Sequence, residues 1–186
     1  DPVFGTENLE SNRSVHYSLG VEQELTRHIE LSVEGFYKDL TNQVSRGPND
    51  AGGYSYNNVG TGAVQGIETL LKFKPDDRFF GWIAYTVSRS VRQDSPDGEE
   101  YLFQYDQTHN LIVLGSYRLG RGWEFGARFR VVSGPLDTPV AQRPSLPAIY
   151  SADAGSYAPL QGKPYTARLP LFHQLDLRVD KRWQFK

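Results

Sequence analysis

The 186-residue sequence contains no cysteine and no methionine. Without cysteine there is no disulfide scaffold and no cysteine-rich zinc site. An excess of one charge is missing too. The 20 Lys and Arg nearly balance 22 Asp and Glu, and a net charge of -2 lacks the basic footprint of a nucleic-acid binder. Long hydrophobic runs are also absent. Leu111 to Leu114, closed by Gly115, falls far short of the roughly 20 residues of a membrane-spanning helix. The start, Asp1-Pro2-Val3, has neither an initiating Met nor a charged-then-apolar leader. It reads as a processed terminus or as an excerpt of something longer. Disorder is excluded by what is present: 38% hydrophobic residues and 18 glycines in a length that suits one domain. The negative mean hydropathy reads at first as that of a water-soluble protein.

The periodicity is two, not 3.6. Val15, Tyr17, Leu19 and Val21 alternate with His16, Ser18, Gly20 and Glu22, the pattern of a strand with one wet face. Six further stretches repeat it: Ile29 to Lys38, Ala63 to Phe73, Phe79 to Ser88, Leu111 to Tyr117, Trp123 to Val131 and Leu175 to Trp183. In the stretches from Phe79 and Leu111 the second face is less polar. No segment offers an amphipathic helix. The expected fold is all-β, an antiparallel up-and-down sheet of about seven strands.

The connections alternate in length. Short ones lie at Thr26-Arg27, Pro75-Asp76-Asp77-Arg78 and Gly120-Arg121-Gly122; long ones span 41–58, 90–108 and 134–168. Tight turns at one end and long loops at the other fit an outer-membrane β-barrel with short periplasmic turns and long extracellular loops. Aromatics support this. Phe73, Phe79, Tyr117, Trp123 and Trp183 sit near the short turns, and Tyr17, Tyr37 and Tyr85 lie six to nine residues further along their strands. Eight tilted residues climb roughly 20 Å, close to the ~25 Å apolar band between aromatic girdles. Alternation alone fits an inside-out soluble barrel equally; the loop asymmetry and the two belts favour the membrane form. Lys181 is then the one lipid-facing charge, tolerable if it snorkels to the nearby interface.

Six fragments, in order along the chain, resemble TonB-dependent outer-membrane receptors. They are Gly5-Thr6-Glu7-Asn8-Leu9-Glu10 with Tyr17 to Glu22; Glu34-Gly35-Phe36-Tyr37-Lys38-Asp39; Asn58-Val59-Gly60 with Gly66-Ile67-Glu68; Tyr105 to Leu111; Ser133-Gly134-Pro135 with Thr138-Pro139; and Leu175 to Val179. The resemblance implies part of a barrel of about 22 strands closed around a plug. The plug, the TonB-contacting segment and the final strands are not visible in residues 1–186, so the chain reads as a C-terminal portion of that barrel, in a bacterial outer membrane. What it implies functionally is TonB-coupled import of a scarce nutrient, such as a metal chelate, a vitamin or a glycan. The expected partners are outer-membrane lipid, an extracellular small-molecule ligand, and the plug and TonB of the parent assembly. A passive porin-like or adhesive barrel is the alternative, with a soluble ligand-binding β-barrel behind it.

No enzyme is expected. Asp106 and His109 could be drawn as an orienter and a base, but no nucleophile accompanies them, and a turn cap with a rim histidine is the simpler reading. His16, His28 and His173 share no metal-ligand spacing, so no metal and no cofactor are expected. Asp94, Asp97, Glu99 and Glu100 form an acidic loop, read as solvated. Glu68, Arg128, Arg130, Asp176, Arg178 and Asp180 would line the lumen, and Arg182 continues that row. Ligand selection would fall to the 134–168 loop, with Tyr150, Tyr157 and Tyr165 as rigid contact residues.

Overall fold

Period-two alternation dictates extended chain, and the structure, a computed structural model, is built from strands. It describes residues 9–48, 54–76, 78–140, 148–151 and 155–184. Gly5 to Asn8 of the first motif and Asp77 of the second short turn lie outside the described residues. The strands are β1 (Arg13–Thr26), β2 (Ile29–Pro48), β3 (Tyr54–Phe73), β4 (Phe79–Gln93), β5 (Tyr101–Leu102), β6 (His109–Gly120), β7 (Trp123–Val132), β8 (Leu136–Asp137), β9 (Ala148–Ser151), β10 (Ser156–Pro159), β11 (Ala167–Arg168) and β12 (Phe172–Lys181). β1, β2, β3, β4, β6, β7 and β12 lie side by side, each antiparallel to the next, and β5 adds to β4.

The pairing carries the apolar residues into continuous rows. One row runs Val21, Val33, Thr69, Tyr85, Leu111, Val131 and His173 across all seven strands. The next runs Gln23, Leu31, Leu71, Ile83, Val113, Phe129 and Leu175. A one-residue slip at any pairing would throw a whole strand onto the wrong face, so this pattern fixes the register. The opposite face pairs Glu30 with Lys72, Arg128 with Asp176, and Glu124 with both Arg118 and Asp180. Its middle is apolar, with Trp82 opposite Leu114 and Ala84 opposite Leu70 and Ile112.

This is one layer, not a packed core. The chain exposes 14190 Å², where a compact soluble domain of its mass would show roughly 9,000 Å². Leu19, Leu175, Leu177 and Val179 are each more than 60% exposed. The buried residues Leu40, Ser90, Val91, Asp106, Val132 and Ser133 gather at the long-loop end.

The short turns are tightly built. Gly120, Arg121 and Gly122 all have positive φ (89°, 50° and 81°), a path that glycine takes without steric cost. In the β3–β4 turn, Asp76 Oδ1 accepts from the backbone N–H of Phe79 (2.5 Å) and of Arg78 (2.7 Å). These two hydrogen bonds hold the Asp76 carboxyl below its ordinary range. Lys181 does reach the turn end: its Nζ donates to Arg121 O (2.5 Å) and lies 5.0 Å from the Trp123 ring centre.

The first long connection is shorter than expected. Of the 41–58 span, β2 takes residues up to Pro48 and β3 those from Tyr54. Register shifts between Leu40, Gln43 and Ser45, with Asn42 at φ 53°, break the alternation there. A bulge of this kind hides a strand from a period-two reading. The 134–168 connection carries strands of its own. β8 pairs with β11, β9 with β10, and Val140 bridges Gln161.

Candidate functional site

The long-loop rim is assembled from the sequence fragments singled out above, joined in pairs. Around Glu10, amides saturate the backbone. Asn58 Oδ1 accepts from Glu10 N (2.8 Å), while Asn58 Nδ2 donates to Glu10 O (2.9 Å) and Asn42 O (2.8 Å). Asn42 Nδ2 returns to Glu10 Oε2 (3.2 Å). The segment before β1 is thereby tied to the β2–β3 hairpin.

A second knot forms around Asp106, whose side chain is fully buried. Its Oδ1 accepts from Arg168 Nη2 (2.6 Å) and Thr108 Oγ1 (2.8 Å), and its Oδ2 from Ser90 N (2.8 Å). Arg168 Nη1 donates to two carbonyls, Asp106 O (3.0 Å) and Gly134 O (2.9 Å). A buried charge needs such a set of partners. The Ser133-Gly134 fragment joins here: Ser133 Oγ accepts from His109 N (2.9 Å), and a Cβ on Gly134 would lie 2.0 Å from Leu169 O. Asp106 therefore does more than cap a turn. It locks the β4–β6 connection to the β7–β12 connection through Arg168, a residue that the sequence reading passed over.

His109 sits at the rim with its Nδ1 2.8 Å from Tyr85 Oη. The acidic loop is largely partnered. Asp94 accepts from Tyr101 Oη (2.9 Å), Glu99 meets Lys163 (2.5 Å), and Glu100 meets Arg89 (3.7 Å). Lys163 holds the Glu99 carboxyl below its usual range. Burial, reinforced by the bond to Asp94, pushes the Tyr101 phenol up to about 12. Among the described residues no group of three or more His, Asp or Glu is arranged to hold a metal ion.

The three loop tyrosines do not form one site. Tyr150 and Tyr157 face each other across the β9–β10 hairpin, edge to face at 5.3 Å, and are 56% and 74% exposed. Tyr165 is half-buried at φ 55°. It stacks on Tyr101 at 5.9 Å and donates from its hydroxyl to Gln104 (3.2 Å). Tyr105, 74% exposed and edge-on to Phe103, is a rim aromatic that opens the Tyr105 to Leu111 fragment but is not among the expected ligand contacts.

Six polar residues named from the sequence share one face of the sheet. Arg128 grips Asp176 with Nε (2.9 Å) and Nη2 (2.8 Å). Arg178 meets Asp180 (2.5 Å). Arg130 stands opposite Gln174. Glu68 lies directly opposite Glu34 in the β2–β3 register.

The family described as "TonB dependent receptor-like, beta-barrel" matches residues 1–186. It is a family of outer-membrane transporters and receptors, not of enzymes. No curated protein matches the chain. The solved structure of the FrpB iron transporter from Neisseria meningitidis (F3-3 variant) superposes with a TM-score of 0.61 at 11% identity. The match covers 96% of this chain and 25% of that one, so the chain spans about a quarter of its length. At that identity the likeness is one of fold.

Proposed function

The chain belongs to the TonB dependent receptor-like β-barrel family, and from that premise we propose that residues 1–186 form part of the barrel wall of an outer-membrane receptor for TonB-coupled uptake of a scarce nutrient. The observation that carries this reading is the pair of largely apolar rows that cross the seven strands, interrupted at Thr69, His173 and Gln23, on a single layer whose second face carries charges around an apolar middle. In water such a layer would be an aggregation hazard. In a bilayer the apolar rows meet lipid, and Glu68, Arg128, Arg130, Asp176, Arg178 and Asp180 face the lumen, the plug or the solute path.

The long-loop end then faces outward, and the rim knots hold the recognition loops. Tyr150 and Tyr157 are the ligand contacts of this reading, placed on an exposed hairpin. Tyr165 contributes from the loop base, where it already packs on Tyr101. The fold neighbour is an iron transporter, so an iron chelate heads the ligands to test, before vitamins and glycans. The protein supplies binding and a gated path and performs no covalent chemistry.

The test uses the full-length protein that carries this segment, in a deletion strain supplied with one scarce nutrient at a time. Uptake that is restored by the protein and lost without TonB supports the reading. Uptake that persists without TonB would overturn it in favour of a passive, porin-like barrel.

A further inference from the structure

Toward the long loops, the charged face of β1 to β4 changes character. Gly62, Val64, Gly66 and Glu68 alternate along β3 on this face. The register sets Arg92 and Leu40 opposite Gly62, Lys38 and Ser90 opposite Val64, and Phe36 and Ser88 opposite Gly66. On β1, His16 stands opposite Lys38. The two glycines leave room for their neighbours' side chains. A Cβ on Gly62 would lie 2.8 Å from Arg92 Cδ, and one on Gly66 would lie 2.8 Å from Phe36 Cζ. Arg92 and Phe36 are thus laid against β3 on the side of the sheet that carries Glu68.

Both long cations are seated on rings. The Arg92 guanidinium lies 4.1 Å from the Phe103 ring centre, and Lys38 Nζ lies 5.9 Å from that of Phe36. His16 meets the Phe36 ring edge to face at 6.1 Å. A ring attracts a cation and holds it in place, but leaves its charge uncancelled. Among the described residues neither Lys38 nor Arg92 has a carboxylate at ion-pair distance. Asp106 is engaged by Arg168 and Asp94 by Tyr101, while Glu34 and Glu68 lie in the row beyond Phe36 and Gly66. Arg92 directs Nη1 to Ser90 Oγ (3.3 Å) and Val91 O (2.8 Å), which fixes the fork. Lys38 and Arg92 stand two strands apart, roughly 10 Å at the spacing of a sheet. With each head held on its own ring, one small anion does not meet both. A ligand with anionic oxygens on two sides does, and cations bind such oxygens through strong charge-assisted hydrogen bonds.

We propose that Lys38 and Arg92, with His16 and Phe36 beside them, form a lumen-side subsite for a polyanionic solute. The subsite rests on the receptor reading above and narrows its ligand to one class, since a neutral glycan or vitamin brings no charge to these cations. The solute meets this wall after the exposed Tyr150 and Tyr157 hairpin.

Binding to the full-length protein is measured by titration calorimetry with four probes. Ferric citrate and a ferric tris-catecholate are polyanions; a neutral ferric trihydroxamate and maltohexaose are the controls. At least one polyanion is expected to bind about tenfold or more tighter than both controls, and to weaken as salt is added. K38Q/R92Q is expected to weaken that polyanion by about tenfold or more, the scale of one hydrogen bond to a charged group, and K38R/R92K to keep most of the binding. Preference for neither polyanion, or an unchanged double Gln variant, would each overturn the subsite. Heat-modifiable migration on a gel verifies folding. If K38Q/R92Q does not fold, Lys38→Gln alone carries the test, with a loss expected and no loss overturning the subsite. The receptor reading fails separately, by uptake that persists without TonB.

Discussion

Arg168 Nη2 donates to Asp106 Oδ1 at 2.6 Å across 62 residues of sequence, and the receiving carboxylate is fully buried. Breaking such a pair by removing one partner typically costs about 3–5 kcal/mol, because the other charge stays buried without compensation. Arg168→Ala is expected to free both long connections together, seen as faster protease cleavage in 94–108 and in 134–168 while the strands stay protected. Unchanged cleavage in either loop would show that the pair does not couple them.

Gly134 and Gly126 form a matched test of steric demand. A Cβ at Gly134 would lie 2.0 Å from the Leu169 carbonyl oxygen, while at Gly126 the nearest heavy atom is 3.7 Å away. Gly134→Ala should lower the yield of folded protein sharply, and Gly126→Ala should leave it near the native level. Equal yields would contradict the close approach of the chain at Gly134.

Orientation of the sheet is tested by exchanging polarity at neighbouring positions. Leu177, 63% exposed, stands in the apolar rows, and Arg178 points to the opposite face. Leu177→Arg should cost about 2–4 kcal/mol of folding in a bilayer if it lies near mid-membrane, and Arg178→Leu should cost far less. Refolding titrations into vesicles measure both, and the reverse order would mean that the faces are swapped.

Tyr101 gives a pH prediction. Its phenol is pushed from 10.0 to about 12 by burial and by the bond to Asp94. A folded-state pKa above the unfolded one stabilises the protein fully below pH 10.0, and that contribution disappears as pH rises through about 12. Titration by phenolate absorbance, with Tyr101→Phe as the subtraction, should find this group ionising late. Asp94→Asn should bring its midpoint down. A midpoint near 10.0 in the native protein would refute the shift.

For the ligand, the exposed hairpin pair is separable from the loop base. The double variant Y150A/Y157A is expected to weaken binding of the cognate nutrient by about tenfold or more, as an aromatic contact pair can, without changing folded yield. Tyr165→Ala should instead loosen the rim, since it removes the stack on Tyr101 and the bond to Gln104. Binding titrations and protease cleavage distinguish the two, and intact binding by the double variant would remove the hairpin from the ligand site.

The seven long strands were legible because their cause is local. Alternation of Val15 to Val21 or of Trp123 to Val131 fixes extended chain and two faces within a few residues. Where alternation lapses, the reading lapsed. Around Asn42 the bulge breaks the period, so the end of β2 from residue 41 and the start of β3 up to residue 58 read as loop. The short strands β8 to β11 were missed for the same reason, being two to four residues of irregular polarity held by partners far along the chain.

By itself, then, the sequence determined strand content, the two chemically distinct faces and the end that carries long loops, since each follows from neighbours along the chain. It also supplied Tyr150, Tyr157 and Tyr165 as one class of residue. Only the tertiary structure separated them, setting two on an exposed hairpin and one against Tyr101. It alone brought Arg168 to Asp106 and laid Arg92 over Gly62. Those juxtapositions depend on cross-strand register and on loops closing over tens of residues, and no local pattern encodes the partner of a buried charge.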